Sequence, residues 1–267
     1  MNAVKIKNLK FSYEAGNENS SFRLAIPDWE ITQGDFISLL GPNGCGKSTL
    51  LKLIARLHEC HAGEIYIDGG GEIKKYSRKD LAKIIAYVPQ KYFYTFPFSV
   101  YETVMMGRTP YLNRMGFEKS EDQLIVKEAM EILQIDGIKN KGINEISGGE
   151  AQRVLIARAL AQKAKIILLD EPNAHLDLRH QIMIFELLRK LNETEKITVI
   201  TVSHDLNLVA LYSKKAALME AGSIITTGEK ADVLDSNNIK GLFKINAEIF
   251  NRSGNGSFNI LINPRQN

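Results

Sequence analysis

Gly41-Pro42-Asn43-Gly44-Cys45-Gly46-Lys47-Ser48-Thr49 carries the densest chemistry in the chain. A glycine, four free positions, Gly-Lys and then Ser or Thr is the pattern of a loop that wraps phosphate groups. Several backbone N–H groups must turn inward around a triphosphate, and residues without a Cβ let the chain curl that tightly, hence Gly41, Gly44 and Gly46. A helix starting near Lys47 adds its positive N-terminal end. Lys47 then meets the β- and γ-phosphates, the Ser48 hydroxyl is placed to ligate Mg²⁺, and Thr49 can bond a further phosphate oxygen. The competing reading is a glycine-rich turn before an ordinary helix.

Two further stretches carry chemistry. Four apolar residues, Ile166 to Leu169, run into Asp170-Glu171. The carboxyl ends of strands in a parallel sheet face the ligand crevice, so Asp170 is expected to hold Mg²⁺, through water, and Glu171 to orient or deprotonate an attacking water. A surface carboxylate pair closing a strand is the alternative. Ser147-Gly148-Gly149-Glu150 stands before a helix bearing Val154, Leu155, Ala157 and Leu160. It fits a capping box that needs no ligand, yet two glycines ahead of a helix also leave N–H groups that suit a γ-phosphate.

These groups need elements to position them. Phe36 to Leu40 reads as a buried strand ahead of the glycine loop, and Leu50, Leu51, Leu53, Ile54 and Leu57 recur at helical spacing after it. Val4, Ile6, Leu9, Phe11 and Tyr13 come close to alternation, and Phe22, Leu24 and Ile26 alternate after a polar loop from Glu14 to Ser21, so an antiparallel sheet is expected first. Residues 63–69 form another short strand, Ser77 caps a helix carrying Leu81, Ile84 and Ile85, and Ala86 to Val88 is a strand ending at Pro89-Gln90. Strand signals vanish from Tyr92 to about Gln162, a helical insertion opened by capping-box forms at Ser99–Glu102 and Ser120–Gln123. A helix over Leu178 to Asn192 with Ile182, Phe185, Leu188 and Leu191 on one face follows, then a buried strand, Thr198 to Val202, with Ser203-His204-Asp205 at its end. Ala216–Met219 and Ser223–Thr227 form a hairpin, and the tail alternates at Phe258, Ile260 and Ile262.

With 267 residues and 44% hydrophobic content the chain can bury a sizeable core. The net charge of +3 offers no electrostatic argument for nucleic acid, and the pairs Lys74-Lys75 and Lys214-Lys215 read as solvated faces. Cys45 and Cys60 cannot build a disulfide framework, which suits a reducing cytoplasm. Lys5, Lys7 and Lys10 interrupt any signal-peptide core, no stretch approaches a spanning helix, and His58 and His61 beside Cys60 lack a fourth metal ligand. Membranes are expected to enter only through another chain.

Taken in order, the glycine loop, Gln90, Ile146 to Glu150, Asp170-Glu171, Asn173 to Asp177 and His204 resemble the ATP-binding subunits of ABC transporters over nearly the whole chain. That resemblance implies an α/β P-loop NTPase. Its RecA-like core with an antiparallel β subdomain would take residues 1–91 and 163–245, a helical subdomain 92–162, and a C-terminal extension 246–267. It implies two such chains enclosing two ATP molecules head to tail, with Pro42, Asn43 and Cys45 also lining the nucleotide. Tyr13 then resembles the residue that stacks on adenine, with a strand-edge core position as its rival. Gln90 resembles the link between Mg²⁺ and the membrane partner, against an exposed loop amide. Ser147, Gly148 and Gly149, with Glu150 behind them, resemble the signature that touches the opposite subunit's ATP; Ile146 and Glu150 depart from the usual Leu and Gln there. His204 resembles the histidine on the γ-phosphate, with Lys47 and Glu171 as its catalytic companions, against a buried imidazole; Asp177 resembles a shaper of the dimer seam.

Phe98 to Val104 with Met106 to Tyr111 resemble the importers of iron-siderophore, haem or cobalamin complexes. The aromatic cluster from Tyr92 to Phe98 would border a groove for a membrane subunit's helix, unless those rings fill the helical core. Membrane permease subunits, an extracytoplasmic solute-binding protein and a place on the cytoplasmic face of the membrane are implied with it. The rivals are an importer ATPase for another substrate, a soluble ABC ATPase of translation or DNA repair, and a small-molecule kinase. The second of these usually carries a tandem cassette or long coiled coil, absent here, and the last leaves Ser147 to Gly149 unexplained.

Overall fold

A computed structural model describes residues 1–13, 22–90, 96–113, 116–174, 176–251 and 258–263. The expected polar loop after Glu14, His175 and most of the Tyr92–Phe98 cluster lie wholly or partly outside the described residues. Strands β1 (Asn2–Phe11) and β2 (Leu24–Thr32) pair antiparallel, and β1 also pairs with the later β4 (Ala62–Ile67). The imperfect alternation of β1 has a structural cause. Its register against β4 shifts between Lys7 and Lys10, where Asn8 adopts φ 48°, so Val4 and Ile6 on one side of the bulge and Leu9 and Phe11 on the other all point into the core.

Between these strands lie β3 (Phe36–Leu40) and α1 (Lys47–Ile54). Next come α2 (Arg78–Leu81), β5 (Ile85–Val88), α3 (Val100–Met105), α4 (Ser120–Ile132) and α5 (Gly148–Ala161). The chain then enters β6 (Ile166–Asp170), α6 (Leu178–Thr194), β7 (Thr198–Val202), α7 (Leu206–Tyr212), β8 (Lys215–Glu220) and β9 (Ser223–Glu229). It closes with α8 (Lys230–Val233), α9 (Ser236–Phe243) and the hairpin of β10 (Asn246–Asn251) and β11 (Phe258–Asn263).

The main sheet runs β5-β6-β7-β3-β8-β9, parallel except for β9. Its central strands β3, β6 and β7 are buried at every residue, which is why they read as unbroken apolar runs rather than alternations. Successive residues still divide the two faces: Ile166 and Leu168 pack with α1 and the antiparallel sheet, Ile167 and Leu169 with the helices from α3 to α7. Parallel order brings the ends of β3, β6 and β7 to one edge, where the loops after them meet. Among the described residues no helix is long and apolar enough to cross a membrane.

Four local expectations are corrected. Ile85 begins β5 instead of ending a helix: α2, capped at Ser77, stops at Leu81, and Ile85 is taken up by pairing with Ile166 of β6. Helix α4 starts one residue earlier than the capping form at Ser120 implied: Lys119 is its N-cap residue, and Asp122 accepts the Lys119 N–H while also taking Arg108 Nε at 2.8 Å. Ile182 faces outward on α6; Ile184 replaces it in the core beside Phe185 and Leu188. In the tail Phe258 and Ile260 are buried but Ile262 is exposed, and the partner strand β10 had no strong pattern of its own. That hairpin is tied to α7 by Asn207, whose side chain exchanges two hydrogen bonds with the Ile260 backbone at 2.8 and 3.1 Å.

Candidate active site

The loop between β3 and α1 forms the floor of a cleft of about 620 Å³. Gly41 is required by contact, since a Cβ there would lie 2.1 Å from the Met219 carbonyl oxygen. Gly46 caps α1 at φ 109°, a conformation that disfavours any side chain, and leaves the helix without a side-chain cap. Gly46, Lys47, Ser48 and Thr49, the start of α1, line the cleft. Lys47, 5% exposed, folds its ammonium onto the loop and donates to the carbonyls of Gly41 at 2.8 Å and Pro42 at 2.9 Å. The lysine is held inside its own loop.

β6 delivers Asp170 beside this loop, buried and receiving Ser48 Oγ on Oδ1 at 2.8 Å and the Tyr87 hydroxyl on Oδ2 at 3.3 Å. Burial pushes the Asp170 carboxyl above its ordinary range, with the Ser48 and Tyr87 bonds pulling the other way. Burial and the adjoining Asp170 raise the Tyr87 phenol in turn, so it keeps its proton and remains a donor. Glu171 follows at φ 51°, a left-handed conformation that costs a non-glycine residue about 1–3 kcal/mol. Its N–H bonds Val202 O at 3.2 Å, which anchors the turn to β7.

Both Glu171 oxygens are engaged. Gln90 Nε2 donates to Oε2 at 2.6 Å, and His204 Nε2 lies 2.8 Å from Oε1, donating when that nitrogen carries the proton. Gln90 comes from the end of β5 and His204 from the end of β7, the neighbours of β6 in the sheet. His204 is exposed rather than buried, and Gln90 is not a free loop amide.

At the other end of the cleft Tyr13 is 58% exposed, packs edge-on to Phe11 at 5.1 Å and shares a hydrogen bond of 2.8 Å with Thr49 Oγ1. That exposure removes the strand-edge core reading. Phe22, read from sequence as a strand residue, lies 5.8 Å from the Tyr13 ring and lines the cleft with Tyr13, Asn43 and Gly44. Its place just ahead of β2 was the available signal. His58 and His61 stack on Phe11 at 5.6 and 5.3 Å.

The structure does not bring Ser147, Gly148, Gly149, Glu150 or Asp177 to this cleft. Ser147 Oγ caps the Glu150 N–H at 3.3 Å, and Glu150 Oε2 accepts from the Ser147 N–H and hydroxyl, each at 2.8 Å. Asp177 is the exposed N-cap of α6, with both carboxylate oxygens 2.9 Å from His180 Nδ1. These positions form two helix starts outside that cleft, with Ser147, Gly148 and Asp177 exposed and Gly149 and Glu150 half-buried.

Known proteins resemble this chain over most of its length. The ABC transporter family profile matches residues 24–174. The iron(3+)-hydroxamate import ATP-binding protein FhuC of Bacillus subtilis is 38% identical over 93% of this chain and 90% of its own length. The petrobactin import ATP-binding protein FpuC of Bacillus anthracis is 37% identical over 87% of this chain and 85% of its own. Among solved structures, an inward-facing transporter assigned to the metal-chelate type superposes with a TM-score of 0.81 at 32% identity, covering all of this chain and 98% of that one. A nucleotide-sized cleft floored by a glycine loop, with a carboxylate pair at the end of the adjacent strand, is thus found in a chain that belongs to the ATP-binding subunits of ABC transporters, which are ATPases.

Proposed function

We propose that this chain hydrolyses ATP at Glu171 to drive an importer of a metal chelate, of the iron-siderophore, haem or cobalamin kind. The observation that carries the catalytic part is the strained Glu171, steadied by Gln90 and His204 at the edge of the cleft that Lys47 and Ser48 floor. A carboxylate has about four acceptor positions, so two donors leave Glu171 room to take a proton from a water aimed at the γ-phosphate. Lys47 and the N–H groups of Asn43 to Thr49 bind the phosphates. Tyr13 stacks on the base with Phe22 beside it, and His204 turns to the γ-phosphate.

The donors suit Mg²⁺. Ser48 Oγ and Asp170 Oδ1 are hard oxygens 2.8 Å apart in a site where burial opposes the bare carboxylate. Among the described residues no cluster of three or more His, Cys, Asp or Glu could cage a metal, so an ion here would need water or phosphate oxygens beside these donors. Ser48, Asp170 and Gln90 would hold it, and it would neutralise charge on the β- and γ-phosphates.

The rest of the machine lies in other chains. A second copy presents Ser147, Gly148 and Gly149 to the γ-phosphate and Asp177 to the seam; the exposure of Ser147, Gly148 and Asp177 apart from the cleft supports that use. Residues 92–162 act as an inserted helical subdomain and 246–267 as a C-terminal extension. Permease subunits hold the chain at the cytoplasmic face and meet it at exposed Phe96 and Phe98, whose rings pair edge-on at 6.0 Å. A solute-binding protein outside delivers the chelate. That substrate class is supported by the iron-hydroxamate and petrobactin importers among the relatives.

Glu171→Gln tests the centre of this reading. It retains size and hydrogen bonding but cannot accept a proton, so ATP affinity stays near wild type while hydrolysis falls by about 10²- to 10⁴-fold. Size-exclusion chromatography with Mg²⁺ and ATP should hold the variant as a long-lived dimer. Hydrolysis at the wild-type rate would assign the base to another residue.

A further inference from the structure

Asp170 is 3% exposed, and its two oxygens each accept one hydrogen bond, Oδ1 from Ser48 and Oδ2 from Tyr87. The torsion that turns a carboxylate plane is broad and roughly two-fold, so packing alone leaves that plane poorly defined; a donor on each oxygen sets it. Ser48 sits in the first turn of α1 and also lines the cleft, whereas Tyr87 does not.

Sheet geometry accounts for the choice of residue at position 87. β5 lies beside β6 with Tyr87 opposite Leu168, two residues before Asp170 on the same face. This diagonal distance is one that a phenol spans and a shorter hydroxyl side chain does not. The ring itself is a wall of a second groove, of about 820 Å³, shared with Arg56, Leu57, Leu81 and Arg158. The aromatic body thus serves the groove, and the hydroxyl serves Asp170.

We propose that Tyr87 is a positioning residue for the ATPase reaction, its hydroxyl holding the Asp170 carboxylate in the plane that receives a divalent cation beside Ser48. The assignment rests on the reading of Asp170 as the metal-side carboxylate, and the test separates the two. Tyr87→Phe keeps the groove wall and the packing and removes one oxygen. With the full chain and a non-hydrolysable ATP analogue, Mn²⁺ is titrated and the free ion read by electron paramagnetic resonance. Tyr87→Phe weakens Mn²⁺ binding by about tenfold or more, the loss of one hydrogen bond to a charged group. Its affinity for the analogue in excess chelator stays within about twofold of wild type, and saturating Mg²⁺ restores its hydrolysis rate. Asp170→Asn is run alongside. If Asp170→Asn loses Mn²⁺ while Tyr87→Phe binds it like wild type, the Tyr87 assignment is overturned and the metal site stands. If Asp170→Asn also binds Mn²⁺ like wild type, the metal-side reading falls and Tyr87 with it. Weakened analogue binding in chelator to the same extent as Mn²⁺ binding would reduce Tyr87 to a packing residue and overturn the proposal.

Discussion

Two helices of this chain begin at glycines, and their first turns are built in opposite ways. α1 starts from Gly46 with no side-chain cap, no acidic residue in its first turn and a buried Lys47 behind it. α5 starts from Ser147 with a reciprocal capping box to Glu150, a negative charge in its first turn. The first helix end leaves its donors without a side-chain partner and adds positive charge. The second satisfies the N–H groups of Ser147 and Glu150 by itself, so its cap is complete without a ligand. A glycine-rich helix start is therefore a strong nucleotide signal only when the local sequence omits a cap.

Lys47→Ala is the largest blow to this contrast. Removing the buried ammonium takes a ground-state charge from the phosphates, and ATP affinity measured with a fluorescent analogue should fall by about two orders of magnitude. Near-wild-type affinity would mean that the N–H groups of the loop suffice alone. Ser147→Arg comes next. Because Ser147 is exposed and away from its own chain's cleft, each monomer should bind ATP within about twofold of wild type, while hydrolysis in the assembled dimer drops to about a tenth or less. Full activity in that variant would return α5 to a helix that is merely capped.

Glu150→Gln gives the smallest effect and the sharpest one. Hydrogen bonds from Ser147 hold the Glu150 carboxyl below its ordinary value of 4.5. A carboxyl depressed on folding adds stability that is present above the unfolded value and is lost as the pH falls through the lower folded one. At pH 7 the Gln variant should melt about one or two degrees below wild type, and the gap should close as the pH drops through 4.5 and below. A gap that persists into acid would show that the cap depends on shape and not on the charge of Glu150.

Much of the candidate site was legible because its signals are local. The glycine loop, the apolar run into Asp170-Glu171, the cap at Ser99 and the strand before His204 are each written within about ten residues, and all were found where expected. Errors arose where local patterns compete. Ser120 offered an acceptable cap, but the buried Arg108 draws Asp122 inward and the chain is capped from Lys119 instead. The C-terminal hairpin was half visible, since β10 carries Asn246, Glu248 and Asn251 and owes its strand to pairing with β11.

What the sequence by itself determined is the inventory of parts: a glycine loop between strand and helix, two carboxylates at a strand end, a second glycine-bearing helix start, and the periodicity that builds each element. Only the tertiary structure decided how they meet. Glu171 is 81 residues from Gln90 and 33 from His204, and Tyr87 is 83 from Asp170; no spacing rule links such pairs. They touch because β5, β6 and β7 are neighbours in a parallel sheet and deliver their final residues to one edge. Phe22 joined the cleft for the same reason, carried there by the antiparallel sheet and not by any pattern of its own. Periodicity and capping are nearest-neighbour physics and can be read along a chain, whereas strand order and register are settled by the burial of whole faces, which exist only after the chain has folded.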